Sequence, residues 1–280
     1  DWLGDHQGIL SWKLDGLTIV LTYEDGKLLK AVTRGNGDVG EVITANAKTF
    51  VNLPHQIAYK GALVLRGEAV ISYADFDKIN SEIEDSAGKY KNPRNLCAGS
   101  VRQLNSEITA SRRVRFFAFT LVSATDMNFK LRSEQMEWLS GQGFDTVTNR
   151  IVNADNIIET VDLFESEVQE NPIPSDGLVL AFDDLEYSAG LGTTAKFPRD
   201  SIAFKWQDQT EKTVLRKIEW NASRTGLINP IAVFDPVELE GTTVSRASVH
   251  NLSIVEDLAL GIGDTIEVYK ANMIIPQISA

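Results

Sequence analysis

The sequence holds a single cysteine, Cys97, so no disulfide framework and no cysteine-rich zinc site can form within it. Cys97 is expected to be a small buried residue. Only three histidines occur, His6, His55 and His250, and they share no metal-ligand spacing. No apolar run approaches the ~20 residues of a membrane-spanning helix, so no membrane partner is expected. The opening residues, Asp1-Trp2-Leu3-Gly4, lack the basic and apolar stretches of a secretory signal, and no methionine precedes them. The expectation is a processed chain or a fragment of a cytoplasmic protein. Positive charge is also scarce. Lys and Arg number 27 against 39 Asp and Glu, a net charge of −12, which weighs against nucleic-acid binding over the whole surface. The cations are clustered, however. Arg112, Arg113 and Arg115 form one group and Lys196, Arg199 and Lys205 another, so a local basic face on an acidic protein is open.

What is present reads as globular. The 280 residues are 43% hydrophobic, enough for more than one average domain with a sizeable core. Residues 11–23 alternate as a strand interrupted by a tight corner at Asp15-Gly16. Asp25-Gly26 marks a hairpin to a partner strand from Leu28 to Thr33. A glycine-rich loop, Gly35 to Gly40, leads to a helix over 41–48. A strand over 62–72 precedes a helix from 73 to about 86. Pro93 is placed to open a helix carrying Arg94 and Arg102, eight positions apart and so able to share a face. Val114 to Val122 reads as a strand, 131–141 and 154–169 as helices, and 147–152, 178–182 and 201–206 as strands. Beyond Asp208 the pattern changes to short β-rich runs broken by Gly, Asn and Pro, at the spacing of a small barrel.

The residue with the most chemical potential is Lys13, in Lys13-Leu14-Asp15-Gly16. A lysine amine attacks only when neutral, and neutralising it at pH 7 costs roughly 4–5 kcal/mol. Burial or neighbouring cations can supply that shift. The four-residue pattern alone equally describes a solvated lysine before a β-turn. The series that follows changes the weighting: Thr33-Arg34-Gly35-Asn36-Gly37, Arg66-Gly67-Glu68, Asp176-Gly177-Leu178-Val179 and Ala203-Phe204-Lys205-Trp206.

Taken in order, these segments resemble the motif series of the covalent nucleotidyltransferases: DNA ligases, RNA ligases and mRNA capping enzymes. Finer features resemble the bacterial NAD-dependent DNA ligases. Thr33 to Glu41 is similar to their TRGDG-x-x-GE stretch. Asn92-Pro93-Arg94-Asn95, with Ala98 to Leu104, is similar to their NPRN-x-x-AGS-x-RQL segment. Arg224-Thr225-Gly226, Asn229 to Ala232, Val244 to Asn251, Ile262 to Thr265 and Ile274-Ile275-Pro276 resemble their OB-fold.

The resemblance implies an α+β fold: a mixed, largely antiparallel, ATP-grasp-like nucleotidyltransferase domain over 1–208, then a small OB-fold β-barrel over 209–280. It implies that Lys13 attacks the α-phosphate of NAD, that AMP passes to the 5′-phosphate of a nick in double-stranded DNA, and that Mg²⁺ assists. Asp15 and Glu68 would lie at the nucleotide, Glu68 on the ribose hydroxyls, with Ser11 and Leu14 beside them. Arg34 and Lys205 would stabilise phosphate charge, and Asp176 would support the metal or a structural hydrogen bond. Arg94, Arg102 and Arg246 would meet DNA phosphates. Fixed positive charge is what phosphoryl transfer requires, and arginine binds phosphate bidentately. A monomer is expected.

Two positions depart from the family pattern. Relatives place a glutamate two residues before the lysine, where this chain has Ser11, and end the Asp-Gly-Val-Val strand with a lysine, where it has Ala181. The family's amino-terminal helical domain, which grips the nicotinamide mononucleotide half of NAD, lies outside this sequence, so weak self-adenylation is expected. Two other functions stay open: an ATP- or GTP-dependent RNA ligase or capping-type enzyme, and a non-catalytic DNA-binding OB-fold module on a degenerate scaffold.

Overall fold

The computed structural model describes residues 2–280 except 36–38, 85–87, 195–197, 207–209, 240–241 and 272–274. Asn36, Lys196, Asp208 and Ile274, which enter the sequence expectations, therefore lie outside the described residues. The chain divides into two compact units, Asp1–Trp206 and Gln207–Ala280. No described helix is long and apolar enough to cross a membrane.

The first unit contains two four-stranded sheets. One comprises β1 (Gly8–Leu14), β6 (Asn149–Val152), β7 (Ser175–Phe182) and β8 (Ser201–Lys205), in the order β6-β1-β7-β8. The other comprises β2 (Leu17–Glu24), β3 (Lys27–Thr33), β4 (Leu63–Val70) and β5 (Arg115–Ala124), in the order β3-β2-β4-β5. Every strand pair within both sheets is antiparallel. The alternation read from sequence explains the faces. On β1, Leu10 and Trp12 point into a core with Phe164, Leu178 and Leu180, which leaves Ser11 and Lys13 on the opposite face. On β2, Ile19, Leu21 and Tyr23 enter a second core with Leu65, Phe116 and Leu139. Asp25 and Gly26 both have positive φ (50° and 73°), as a hairpin turn matched to strand twist requires.

Residues 11–23 are predicted as one strand with a corner; they form two strands in different sheets. Gly16 makes that possible, because a Cβ there would sit 2.0 Å from the Ala69 carbonyl oxygen. Several helices surround the sheets: α1 (Thr44–Ala47), α2 (Tyr73–Ser81), α3 (Pro93–Val101), α4 (Ser106–Ser111), α5 (Arg132–Gly141), α6 (Ile157–Glu167) and α7 (Leu185–Leu191). Pro93 opens α3 behind an Asn92 cap that accepts from the Asn95 amide. The helix predicted over 41–48 is only one turn, 44–47. Isolated helix this short is not self-sustaining, and α1 is held by contacts to other elements.

The second unit is a closed barrel of β9 (Glu211–Ala222), β10 (Ile228–Leu239), β11 (Thr242–Ser248), β12 (Thr265–Ala271) and β13 (Ile275–Ile278), with α8 (Leu252–Asp257) against it. Leu215, Ala232, Phe234, Ile266 and Val268 fill it.

One modest test probes the core of the first unit. The buried Tyr23 hydroxyl donates to the Pro54 carbonyl at 2.6 Å. Tyr23→Phe is expected to lose about 1–2 kcal/mol, since it strands that acceptor, read as a lower urea midpoint with an unchanged slope.

Candidate active site

The site is built on the face of β1 away from the core. Lys13 pairs with Gly177 on β7, and Gly177 pairs with Lys205 on β8. Residues directly opposite one another across antiparallel strands share a face. The two lysines therefore stand in one row with a residue lacking a side chain between them. Gly177 has φ 153°, and a Cβ there would lie 1.9 Å from the Phe204 carbonyl oxygen, so only glycine permits this spacing.

Asp176 joins the same face through a register shift. Lys13 is opposite Gly177 but Leu14 is opposite Ser175, which leaves Asp176 as the extra residue of a bulge. Bulges re-aim side chains, and here both carboxylate oxygens of Asp176 come within 2.6 Å of Lys13 Nζ. The Trp206 amide donates to the Asp176 carbonyl, and the Ser175 hydroxyl to the Lys13 carbonyl, which ties the bulge to both neighbours. The sequence predicts cations around Lys13. The charge in direct contact is instead this anion, and Lys205 stands two strands away in the same row.

A second cluster gathers at the corner between β1 and β2. Asp15 is buried, its amide donates to the Pro174 carbonyl, and its carboxylate accepts from Arg94 of α3 at 2.7 Å. Glu68 on β4 lies opposite Thr18 on β2 and accepts from its hydroxyl at 2.9 Å. Thr18 has no signal in the sequence; only the strand register brings it to Glu68. Burial pushes the Glu68 carboxyl up to about 7, with Asp15 adding to the rise, while the Thr18 hydroxyl, Arg94 and the Gly16 amide oppose it. Burial, reinforced by Glu68 and Asp15, also pushes up the thiol of the fully buried Cys97, which donates to the Ala69 carbonyl.

The raised Glu68 has a consequence for stability. The folded protein holds this proton up to about pH 7, whereas an unfolded glutamate releases it near 4.5. The folded state thus binds more protons between those values, and stability falls as pH rises through that window. Glu68→Gln is expected to raise stability by roughly 3 kcal/mol at pH 8 and by almost nothing at pH 4. Urea midpoints of both proteins at the two pH values check this; equal gains at both would contradict it.

The other predicted residues disperse. Arg34 is exposed, and its amide donates to the Thr18 carbonyl, so its backbone adjoins the Glu68 strand pair. Ser11 turns its hydroxyl to the Val179 carbonyl at 3.5 Å, and Ala181 is buried opposite Ile9. The Leu14 side chain lies away from the lysine row and lines a small cavity of about 40 Å³ with Trp12, Phe117 and Asn171. Arg94 and Arg102 do not share a face. Arg94 reaches Asp15, whereas Arg102, just past the end of α3, pairs with Glu41 at 2.6 Å. Trp12 packs edge-on against Phe164 and Trp206, as core and wall. Arg113 pairs with Asp75, and Arg112 lies over the Tyr90 ring. In the barrel unit, Arg246 pairs with Glu219 and lines a cavity of about 510 Å³ with Asn229, Ser248 and His250.

Comparison with known proteins assigns both units to known domains. Residues 5–209 match the model of the NAD-dependent DNA ligase adenylation domain, and residues 212–280 that of the NAD-dependent DNA ligase OB-fold domain. The chain is 64% identical over all its 280 residues to a DNA ligase of Lachnoclostridium phytofermentans, and 66% identical to one of Ruminiclostridium cellulolyticum. It spans 43% of the length of each. A solved structure named Pmar-Lig_PreS3 superimposes with a TM-score of 0.51 at 14% identity, covering 94% of this chain and 58% of that one, a likeness of fold.

Proposed function

This chain belongs to the family of NAD-dependent DNA ligases, and from that premise we propose that Lys13 is the amine that takes the adenylyl group. Nζ attacks the α-phosphorus of NAD. A P–N bond forms, the bond to the bridging oxygen breaks, and nicotinamide mononucleotide leaves. Asp176, already in contact with Nζ through both oxygens, receives the proton that the ammonium must lose. AMP then passes from Lys13 to the 5′-phosphate of a nick in duplex DNA, and the 3′-hydroxyl displaces AMP to seal the strand.

Each remaining residue has a part in this scheme. Lys205, in the row of Lys13, meets the charge that develops on the phosphate oxygens, and Arg34 assists it. Glu68 receives the ribose hydroxyls, and Asp15 holds Arg94 at the nucleotide end of α3. Arg102 and Arg246 engage DNA phosphates, a role the guanidinium fork suits. Mg²⁺ takes few protein ligands and is held largely by substrate phosphates; Asp176, both of whose oxygens contact Lys13 Nζ, would offer it at most one oxygen beside those phosphates. Bound there, it would neutralise phosphate charge.

The observation that supports this reading most is the row Lys13–Gly177–Lys205 with the Asp176 carboxylate folded onto it. Intact-mass measurement of the full-length enzyme that contains this chain, after incubation with NAD, tests it. The expected result is a gain of one AMP with release of nicotinamide mononucleotide, and no gain with ATP. Adenylation from ATP in place of NAD would overturn the choice of donor, and adenylation from neither would overturn the proposed chemistry.

A further inference from the structure

The end of α3 is held by more side chains than a helix terminus needs. The last carbonyls of a helix have no partner inside it. Here Gly99 O accepts from the Gln103 side chain, Ser100 O from the Thr109 hydroxyl, and Val101 O from Asn46 Nδ2 at 2.7 Å. The same Nδ2 donates to Gln103 O at 2.8 Å. Asn46 lies on the one-turn helix α1, remote in sequence, and is 6% exposed. Its two bonds go to the carbonyls on either side of Arg102. The backbone of Arg102 is therefore clamped before and after, while its side chain, 45% exposed, projects to the surface.

The stretch that supplies Asn46 also supplies the partner of the guanidinium. Arg102 Nε donates to Glu41, which is fixed in turn: its amide bonds the Thr33 hydroxyl, and its carbonyl accepts from the Thr33 amide. A single exposed ion pair does little for folding. A buried carboxamide spending both its donors on the residues flanking one arginine indicates that the direction of that arginine matters. A long side chain delivers charge to a phosphate with less entropy lost if its base is already fixed.

We propose that Asn46 is a positioning residue for Arg102, aiming its guanidinium at a phosphate of the nicked duplex, which displaces Glu41 on binding. The inference rests on the reading of Arg102 as a DNA-phosphate ligand given above. Alanine at 46 removes both bonds, and serine leaves a shorter group able to donate only one.

Binding of a fluorescently labelled nicked duplex by the full chain, at several salt concentrations, tests this. The proteins compared are wild type, Asn46→Ala, Arg102→Ala and the double variant, each confirmed folded by circular dichroism. Arg102→Ala is expected to weaken binding at least about 10-fold and to lower the salt slope by about 0.9, one phosphate contact. Asn46→Ala is expected to weaken binding about 5-fold with a smaller slope, yet less than about 2-fold when Arg102 is already alanine, because the two act through one contact. Asn46→Ser, which replaces Asn46→Ala should the latter not fold, is expected to fall between wild type and Arg102→Ala. Equal weakening by the position-46 variant with and without Arg102 would show a merely structural role and overturn the proposal. So would wild-type binding by that variant while Arg102→Ala binds weakly. Wild-type binding by Arg102→Ala is a different result: it removes the reading of Arg102 itself, and the proposal with it.

Discussion

Lys13→Ala is expected to abolish the AMP adduct completely while leaving the protein folded. Lys13 is partly exposed and on the face of β1 away from the core, so its loss opens no core cavity. It does leave the Asp176 carboxylate, 15% exposed on its side chain, without its cation. A small drop in stability should accompany the total loss of chemistry, because water still reaches that carboxylate. Lys13→Arg is the sharper variant. A guanidinium can restore the ion pair with Asp176, but it does not give up its proton at any ordinary pH. It should therefore recover the stability and none of the labelling. Denaturant midpoints and intact mass after incubation with NAD separate the two effects. An adduct on the Arg variant would place the nucleophile elsewhere in the chain. A pre-adenylated nick offers a further separation, since joining it does not use the lysine as nucleophile. Activity there in the Lys13 variants would confine the defect to the steps before the strand is sealed.

Local physics made much of the fold legible. The alternation of β2 and the Asp25-Gly26 pair specify a hairpin whose every determinant lies within a few residues, and it forms with Glu24 opposite Lys27. Pro93 behind Asn92 likewise specifies a helix start without help from elsewhere. Illegible features depend on distant partners. Asp15-Gly16 reads locally as a corner within one strand, and nothing local shows that β1 and β2 belong to different sheets; the cause is the approach of Gly16 to Ala69 on β4. Candidate residues could be named from the order of their motifs, but not their partners. Lys13 and Asp176 are 163 positions apart, and Asp15 and Arg94 are 79 apart. The bulge that turns Asp176 onto Lys13 is a property of strand pairing, invisible in either strand alone. For the same reason the sequence predicts cations at the amine where the structure has a carboxylate.

Gly177→Ala is expected to be the most damaging single-methyl change in the site. A Cβ at 177 would stand 1.9 Å from the Phe204 carbonyl oxygen and 2.8 Å from Lys205 Cα, both backbone atoms of β8. No rotamer change relieves such a clash, so β8 must move away from β7 or the pairing must break. Overpacking of this kind, added to a φ of 153° that side chains rarely adopt, should cost about 3 kcal/mol or more. Gly190→Ala is the matched control. It lies in α7 with nothing within 4 Å of an added Cβ, and alanine there should stabilise by up to about 1 kcal/mol. The functional effect should exceed what instability alone predicts, because β8 carries Lys205. A displacement of about 1 Å can cost of order 100-fold in rate when it misplaces a catalytic group. Adenylation measured well below the melting transition should therefore stay low in Gly177→Ala. Lys205→Ala should show the same chemical defect with a far smaller loss of stability, since its side chain is exposed. If Gly177→Ala instead labels at the wild-type rate under conditions where it is folded, the spacing between the two lysines is irrelevant to the chemistry, and Lys205 loses its place in the mechanism.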